Sequence, residues 1–242
     1  MMRLPSYLRQ IEHPTNSHDL CKTRNTKCVA EDKFSIIKKA ILKARNLISK
    51  NCFLQSTQLL EPLVTEGILH SDVFYLLGES FRNLNEFEKA ELWVRRSIQM
   101  KIHPPYCYLS MGQICQASER YRDSILYFRQ FLMKIDDPQG HYELGRSFMW
   151  LGLYEDAVEE YSIFIEQKRH VNLDPAVLLL RAEAYEELNR LDLARNDYRM
   201  VLEINRNFYA PYFEHAQELA ACGKIQESKT IIEFIKKRTR FV

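Results

Sequence analysis

The sequence predicts an all-α protein, a right-handed α-solenoid of about six helix–turn–helix units. The first observation is a pattern of small and large residues that recurs along most of the chain, with residues 78 and 112, for example, 34 apart. Self-similarity at such a period is typical of repeat arrays. The second observation is composition, because 7 Gly and 8 Pro among 242 residues leave few helix breakers, while 46% of the residues are apolar.

The pattern centres on a small residue inside the first helix of each unit. At position 78, helix propensity would favour alanine over glycine by roughly 1 kcal/mol. The sequence nevertheless has Gly78, with Leu77 directly before it and Phe81 three positions after it. We predict that a small side chain lets the first helix approach the second helix of its own unit closely, so packing outweighs propensity. The residues at this position are Ala44, Gly78, Gly112, Gly145, Ala182 and Ala216.

The spacing divides most of the chain into six units. Their ranges are 37–70, 71–104, 105–137, 138–174, 175–208 and 209–242. Residues 1–36 are predicted to form an N-terminal arm, helical in part. The apolar residues that fall at helical spacing in this arm are Leu4, Tyr7, Leu8 and Ile11. Two interpretations stay open: a partly disordered tail, or an arm whose apolar stripe docks on the array or on a partner.

This series resembles the tetratricopeptide repeat (TPR), a 34-residue helix–turn–helix unit whose pattern is a large residue, then Leu-Gly, an aromatic residue, Ala, an aromatic residue and Ala. The stretch 74–98, FYLLGESFRNLNEFEKAELWVRRSI, shows most of it within one unit. The resemblance implies units that stack side by side. It also implies a concave surface, lined by the first helices, that binds protein partners.

Composition and motifs count against several classes of function. No apolar run approaches the roughly 18 residues that a membrane helix needs, and the formal net charge is only +2, without the dense basic stripe that nucleic-acid binding favours. The sequence contains no phosphate-binding loop after a strand, no nucleophile elbow and no HExxH motif. We therefore predict neither an enzyme, nor a cofactor, nor a small-molecule substrate, nor binding to nucleic acid or membranes.

The cysteines predict an intracellular protein, nuclear or cytoplasmic. Six cysteines show no regular disulfide framework, and no apolar signal-peptide segment precedes them, so reduced thiols are expected. Four metal-ligand types occur close together in the arm, at His13, His18, Cys21 and Cys28, but their spacing fits no familiar zinc pattern. No metal site is predicted.

The fifth and ninth residues of each unit are predicted to line the concave groove, since they share the face of the first helix that points away from the second. The fifth residues are Ile41, Tyr75, Leu109, Tyr142, Leu179 and Phe213. The ninth residues are Arg45, Glu79, Gln113, Arg146, Glu183 and Gln217. This predicts an apolar, aromatic floor with charges of both signs. Packing between neighbouring helices accounts for part of the apolarity, and the rest favours a protein partner.

The groove lacks the donors of a known TPR function. TPR co-chaperones hold the acidic C-terminal tails of heat-shock proteins with a two-carboxylate clamp of paired Lys, Arg and Asn side chains. Here Ile41 and Arg45 are followed by Tyr75 and Glu79 at the matching positions, which cannot surround a terminal carboxylate with paired cations. We do not predict a carboxylate-clamp co-chaperone.

A narrower resemblance appears near the end of the chain. Residues 202–224, LEINRNFYAPYFEHAQELAACGK, are similar to the last repeat of the N-terminal TPR domain in the BimA-type scaffold subunit of the anaphase-promoting complex, and residues 74–94 resemble an early repeat of that family. The resemblance implies a homodimerising, non-catalytic subunit of this cell-cycle ubiquitin ligase. The chain ends at Val242, so it is expected to lack that family's C-terminal, activator-binding block.

The residues themselves also predict self-association. The last helix carries Ile231, Ile232 and Ile235, an apolar stripe that a terminal helix would expose. The first unit is rich in isoleucine as well. We predict a two-fold dimer in which the first repeat of each chain lies in or near the groove of the other. The alternative is a monomeric adaptor whose groove binds a short helix or an extended peptide of another protein.

The predicted interface residues combine apolar contacts, tyrosines that insert into the partner, and charges that set the register. They are Ile37, Ile41, Arg45, Ile48, Tyr75, Glu79, Tyr106, Tyr142 and Arg146.

Overall fold

The computed structural model describes residues 23–168, 173–205 and 207–239, which form twelve α-helices. Their bounds are α1 Thr23–Ser49, α2 Phe53–Thr65, α3 Ser71–Asn83, α4 Phe87–Ile98, α5 Tyr106–Ala117, α6 Tyr121–Leu132, α7 Pro138–Trp150, α8 Tyr154–Lys168, α9 Pro175–Glu187, α10 Leu191–Ile204, α11 Ala210–Ala221 and α12 Ile225–Thr239. These ranges contain no strand.

The helices pack as consecutive pairs, α1 with α2 through α11 with α12. Between pairs, α3, α5, α7 and α9 each contact the second helix of the pair before. An array whose units contact their neighbours in sequence is an α-solenoid, so the predicted fold class is confirmed. Helix α1 begins at Thr23, inside the range predicted for the arm. The apolar stripe from Leu4 to Ile11 lies outside the described residues.

The turn inside every pair has the same backbone conformation. One residue in each turn has a positive φ, between 57° and 79°: Asn51, Asn85, Glu119, Gly152, Asn189 and Gly223. The amide of the following residue donates to the carbonyl five positions earlier, as Arg120 does to Cys115 at 2.8 Å and Glu86 to Phe81 at 2.9 Å. This is the Schellman ending, which favours Gly or Asn in the left-handed position. The repeat is therefore visible in the backbone conformation as well as in the side chains.

The close approach of the two helices of a pair is confirmed at the glycines. A Cβ atom built on Gly145 would lie 2.6 Å from Cε1 of Tyr161, which is completely buried. Corresponding Cβ atoms on Gly78 and Gly112 would overlap Val94 and Phe128. All three of these neighbours lie on the second helix of the same pair. No side chain fits between the helices there.

The expectation of an uncovered apolar stripe on the last helix is wrong. Ile235 is completely buried in a cluster with Val201 and Tyr209, and Ile231 packs against the same cluster. The reason is that α12 contacts α10 as well as α11. The chain itself covers most of the stripe.

The part of the chain that the structure describes contains neither a membrane-spanning helix nor a cluster of metal ligands. None of its helices combines the length and the apolar character that crossing a membrane would require. The described side chains also bring together no group of three His, Cys, Asp or Glu that could hold a metal ion.

Replacing Gly145 by alanine should destabilise the fold although alanine is the better helix former. Overpacking against Tyr161 costs about 1–3 kcal/mol and propensity returns only about 1 kcal/mol, so the free energy of unfolding, measured in urea, should fall by up to about 2 kcal/mol. The matched position is Ala182, which already packs beside Tyr198; Ala182→Gly should cost about 1 kcal/mol. A Gly145→Ala protein more stable than wild type would contradict the close approach.

Candidate functional site

The first helices of successive pairs form one continuous surface. Helix α1 contacts α3, α3 contacts α5 and α5 contacts α7, in addition to the contacts within pairs. Side chains bridge these helices: Arg45 Nη2 lies 3.3 Å from Asp72 Oδ2, and Ser110 Oγ donates to Glu79 Oε1 at 2.6 Å. We call this surface of α1, α3, α5, α7 and α9 the groove. It is the site predicted to bind a partner.

The floor of the groove is only partly open to solvent. Of the fifth residues, Ile41 and Leu179 belong to the core, at 8% and 9% exposure. Tyr75, Leu109 and Tyr142 are half-buried. The tyrosine rings thus rest on the core and leave an edge free, which suits them to contact a partner without losing their own support.

The predicted interface isoleucines of the first pair pack inward. Ile37 and Ile48 are half-buried against the same core cluster as Ile41. Apolar surface at this end of the array comes instead from Phe34, Ile36 and Leu42 on α1, which are 66%, 54% and 58% exposed. Arg45, also a predicted interface residue, is exposed apart from its ion pair with Asp72.

Glu79 organises the groove around α3. Its carboxylate accepts from Nε and Nη2 of Arg82, both at 3.1 Å, and from Ser110 on the next first helix. Burial raises the pKa of Tyr75, and the negative charge of Glu79 adds to the effect. The Tyr75 hydroxyl therefore stays neutral at physiological pH.

Glu143 organises the groove around α7 in the way that Glu79 does around α3, although its role was not predicted from the sequence. This side chain is 5% exposed; its Oε1 accepts from Nε2 of Gln113 at 2.8 Å and of Gln139 at 3.0 Å, and its Oε2 from Arg146 at 3.1 Å. Because a carboxylate paired with arginine only accepts hydrogen bonds, both amides must turn their NH2 groups towards it. Their oxygens remain for a partner. The feature of the sequence that could have identified Glu143 is an acidic residue at a buried position of a helix.

Arg146 and Tyr142 lie together above Glu143. The Arg146 guanidinium lies 5.7 Å from the centre of the Tyr142 ring, whose other contact is Phe164 at 5.9 Å. The structure thus brings Tyr75, Glu79, Tyr142 and Arg146 to one surface. Tyr106 lies at the beginning of α5, where its ring packs on Phe131 and its hydroxyl lies 3.4 Å from Asp137.

The groove cations of α3 and α7 are already engaged. Arg82 is bound by Glu79 and Arg146 by Glu143, in each case on the same helix. Neither is a free cation of the kind that a terminal carboxylate needs.

The two thiols of the groove helix α5 are structural. Cys107 and Cys115 are completely buried, and burial raises the pKa of both thiols to about 11. Since the thiolate is the nucleophile, neither cysteine is reactive at neutral pH.

The comparisons with known proteins agree with this geometry. Residues 142–207 match the tetratricopeptide repeat family. The fold is a TPR-like α-solenoid. The crystal structure of the MamA protein has a TM-score of 0.61 at 15% identity, over 73% of this chain and 95% of that one. A fragment of MamA, from residue 41 to its end, from Desulfovibrio magneticus RS-1 has a TM-score of 0.63 at 11% identity, over 72% and 97%.

A third TPR structure covers more of the chain. The C-terminal part of a TPR repeat-containing protein from Cytophaga hutchinsonii has a TM-score of 0.62 at 16% identity, over 82% of this chain and 78% of that one. At such identities the likeness concerns the fold alone. No curated protein sequence matches the chain.

Glu143 should contribute to the stability of the folded protein through its hydrogen bonds in the groove. Glu143→Ala removes the acceptor of Gln113, Gln139 and Arg146, and unpaired donors of this kind cost about 1–3 kcal/mol, which urea unfolding would measure. The matched control is Glu159→Ala, at an exposed position of α8, expected to change stability by less than about 0.5 kcal/mol. Equal effects of the two substitutions would show that the hydrogen bonds of Glu143 do not stabilise the protein.

Proposed function

We propose that this protein is a non-catalytic scaffold whose TPR groove binds a segment of another protein. The observation that carries the proposal is the group of Tyr142, Arg146 and Glu143. Aromatic and arginine side chains supply most of the energy of protein interfaces, and here the arginine is fixed by a buried carboxylate before any partner arrives. Side chains held in place in advance lose less entropy on binding.

The groove chemistry favours an extended segment of low net charge. The amide oxygens of Gln113 and Gln139 are positioned to accept main-chain N–H groups, because Glu143 holds their NH2 groups. Tyr75 and Tyr142 offer ring edges to apolar side chains. Each groove arginine of α3 and α7 is neutralised by its own glutamate, so a strongly acidic tail would gain little there.

A second copy of the chain is the other candidate occupant. The exposed Phe34, Ile36 and Leu42 of α1 are apolar, and covering them in the groove of a second chain would give the predicted two-fold dimer. A subunit of the anaphase-promoting complex would use such a dimer. That assignment depends on the resemblance of residues 74–94 and 202–224, and neither the family match nor the similar structures support it.

Arg146→Ala should weaken partner binding. Peptides selected by the wild-type protein from a displayed library of extended peptides should bind the Arg146→Ala protein about tenfold or more weakly, as for the loss of a central interface arginine. The control is Arg122→Ala, at an exposed position of α6 on the second helix of its pair, which should bind with unchanged affinity. Peptides that depend on Arg122 and ignore Arg146 would place the binding surface elsewhere.

The dimer through α1 makes a separate prediction. Light scattering behind a sizing column should give a molar mass near twice the 28.8 kDa of one chain, and Leu42→Glu should restore the single-chain mass with unchanged helicity, because Leu42 is exposed and not part of the core. Leu60→Glu is unsuitable, since Leu60 is completely buried. A wild-type mass of one chain at every concentration rules this dimer out.

A further inference from the structure

The last helix pair does not stack as the others do. In α3, α5, α7 and α9 the third and tenth residues of the unit are buried against the second helix of the pair before: Val73, Ser80, Cys107, Ile114, Gly140, Ser147, Val177 and Ala184. Ser80 Oγ, for example, donates to Ser56 Oγ of α2 at 2.9 Å. In α11 the tenth residue is Glu218 and the seventh is His215, and both are exposed. At these two positions α11 therefore offers α10 no apolar side chain.

Helix α12 takes that place. Its Ile235 is completely buried with Val201 of α10, and its Phe234 packs against the cluster that contains Tyr198. Two ion pairs then reach α9: Arg238 Nη2 lies 3.0 Å from Glu183 Oε1, and Lys237 Nζ lies 2.8 Å from Glu186 Oε2. We call the surface formed by Glu183, Glu186, Tyr198 and Val201 the α12 site.

The α12 site recognises its helix through side chains alone. Ile231, Phe234, Ile235 and Arg238 follow one another at i, i+3, i+4 and i+7, the spacing with which an amphipathic helix binds in a groove. The basic end of the helix meets the two glutamates, and the Arg238 guanidinium also lies 3.6 Å from the centre of the Phe234 ring. None of these contacts requires that helix and site belong to the same chain.

Helix α11 adds little to hold the α11–α12 hairpin against the rest of its own array. Ala216 is the one fully buried residue of α11 among those with described side chains, and Tyr212 and Phe213 are 40% and 44% exposed. Moving the α11–α12 hairpin away from the array thus loses mainly the α12 contacts. A second chain can restore all of those contacts, and an exchange of identical elements is a low-cost route to a dimer.

We propose that α12 exchanges between two copies of this chain, each inserting its α12 into the α12 site of the other. The dimer is closed, because each copy gives one helix and receives one. Its site includes Glu183 of α9, at one end of the groove, but it leaves the part of the groove between α3 and α7 free and does not use Leu42. The proposal therefore stands apart from both occupants considered for the groove.

Complementary charge reversal tests the exchange. The site variant carries Glu183→Lys and Glu186→Lys; the helix variant carries Lys237→Glu and Arg238→Glu. Each variant alone sets like charges against its own α12, and so does a dimer of either variant. In an equimolar mixture every site finds a helix of opposite charge only in the other variant. All variants also carry Leu42→Glu, which removes the dimer through α1. Light scattering should then give the mass of one 28.8 kDa chain for each variant alone and twice that mass for the mixture.

The control combines all four substitutions in one chain, which restores opposite charges within it and should behave as the Leu42→Glu protein does. If a variant loses helicity by circular dichroism, the milder pair Glu186→Lys and Lys237→Glu replaces it, because the Lys237 side chain is 60% exposed. A mixture of folded variants that stays at the single-chain mass overturns the proposal. So does a doubled mass that Ile235→Ser in both variants leaves unchanged, since an exchanged helix must bury Ile235.

Discussion

The contact between the small residue of each first helix and the large side chain of its partner helix is the constraint on which this structure depends. Where Gly145 meets Tyr161, the two backbones come so close that no side chain fits between them. The same close approach recurs at Gly78 and Gly112. The groove follows from this repetition, because the first helices of the first four pairs contact one another in succession.

The polar groups of the groove are a second layer built on that geometry. Glu79 and Glu143 each accept from a neighbouring helix, at Ser110 and Gln113. Their bonds cross from pair to pair and orient arginine and glutamine side chains that would otherwise be mobile. The charges of Glu79 and Glu143 are therefore satisfied within the chain.

The sequence was sufficient for the fold because the 34-residue period can be read without any structure. It identified Gly78, Gly112 and Gly145 as points of close approach, and the fifth and ninth positions as the inner face. It could not identify Glu143, whose role depends on Gln113, a residue 30 positions away on another helix. It also failed at Ile235: periodicity shows which residues share a face, but not which element covers that face. The polar His215 and Glu218 were the signal that α11 would leave α10 open.

The linear stacking has a consequence for how the molecule opens. Each pair is stabilised by the pairs beside it, so a central pair such as α5–α6 has support on both sides, whereas α11–α12 has it on one. Cooperativity in such an array spreads from neighbour to neighbour rather than through a common centre. For the described helices, backbone amides of α11 and α12 should therefore exchange with solvent faster than those of α5 to α8, which have a neighbouring pair on both sides.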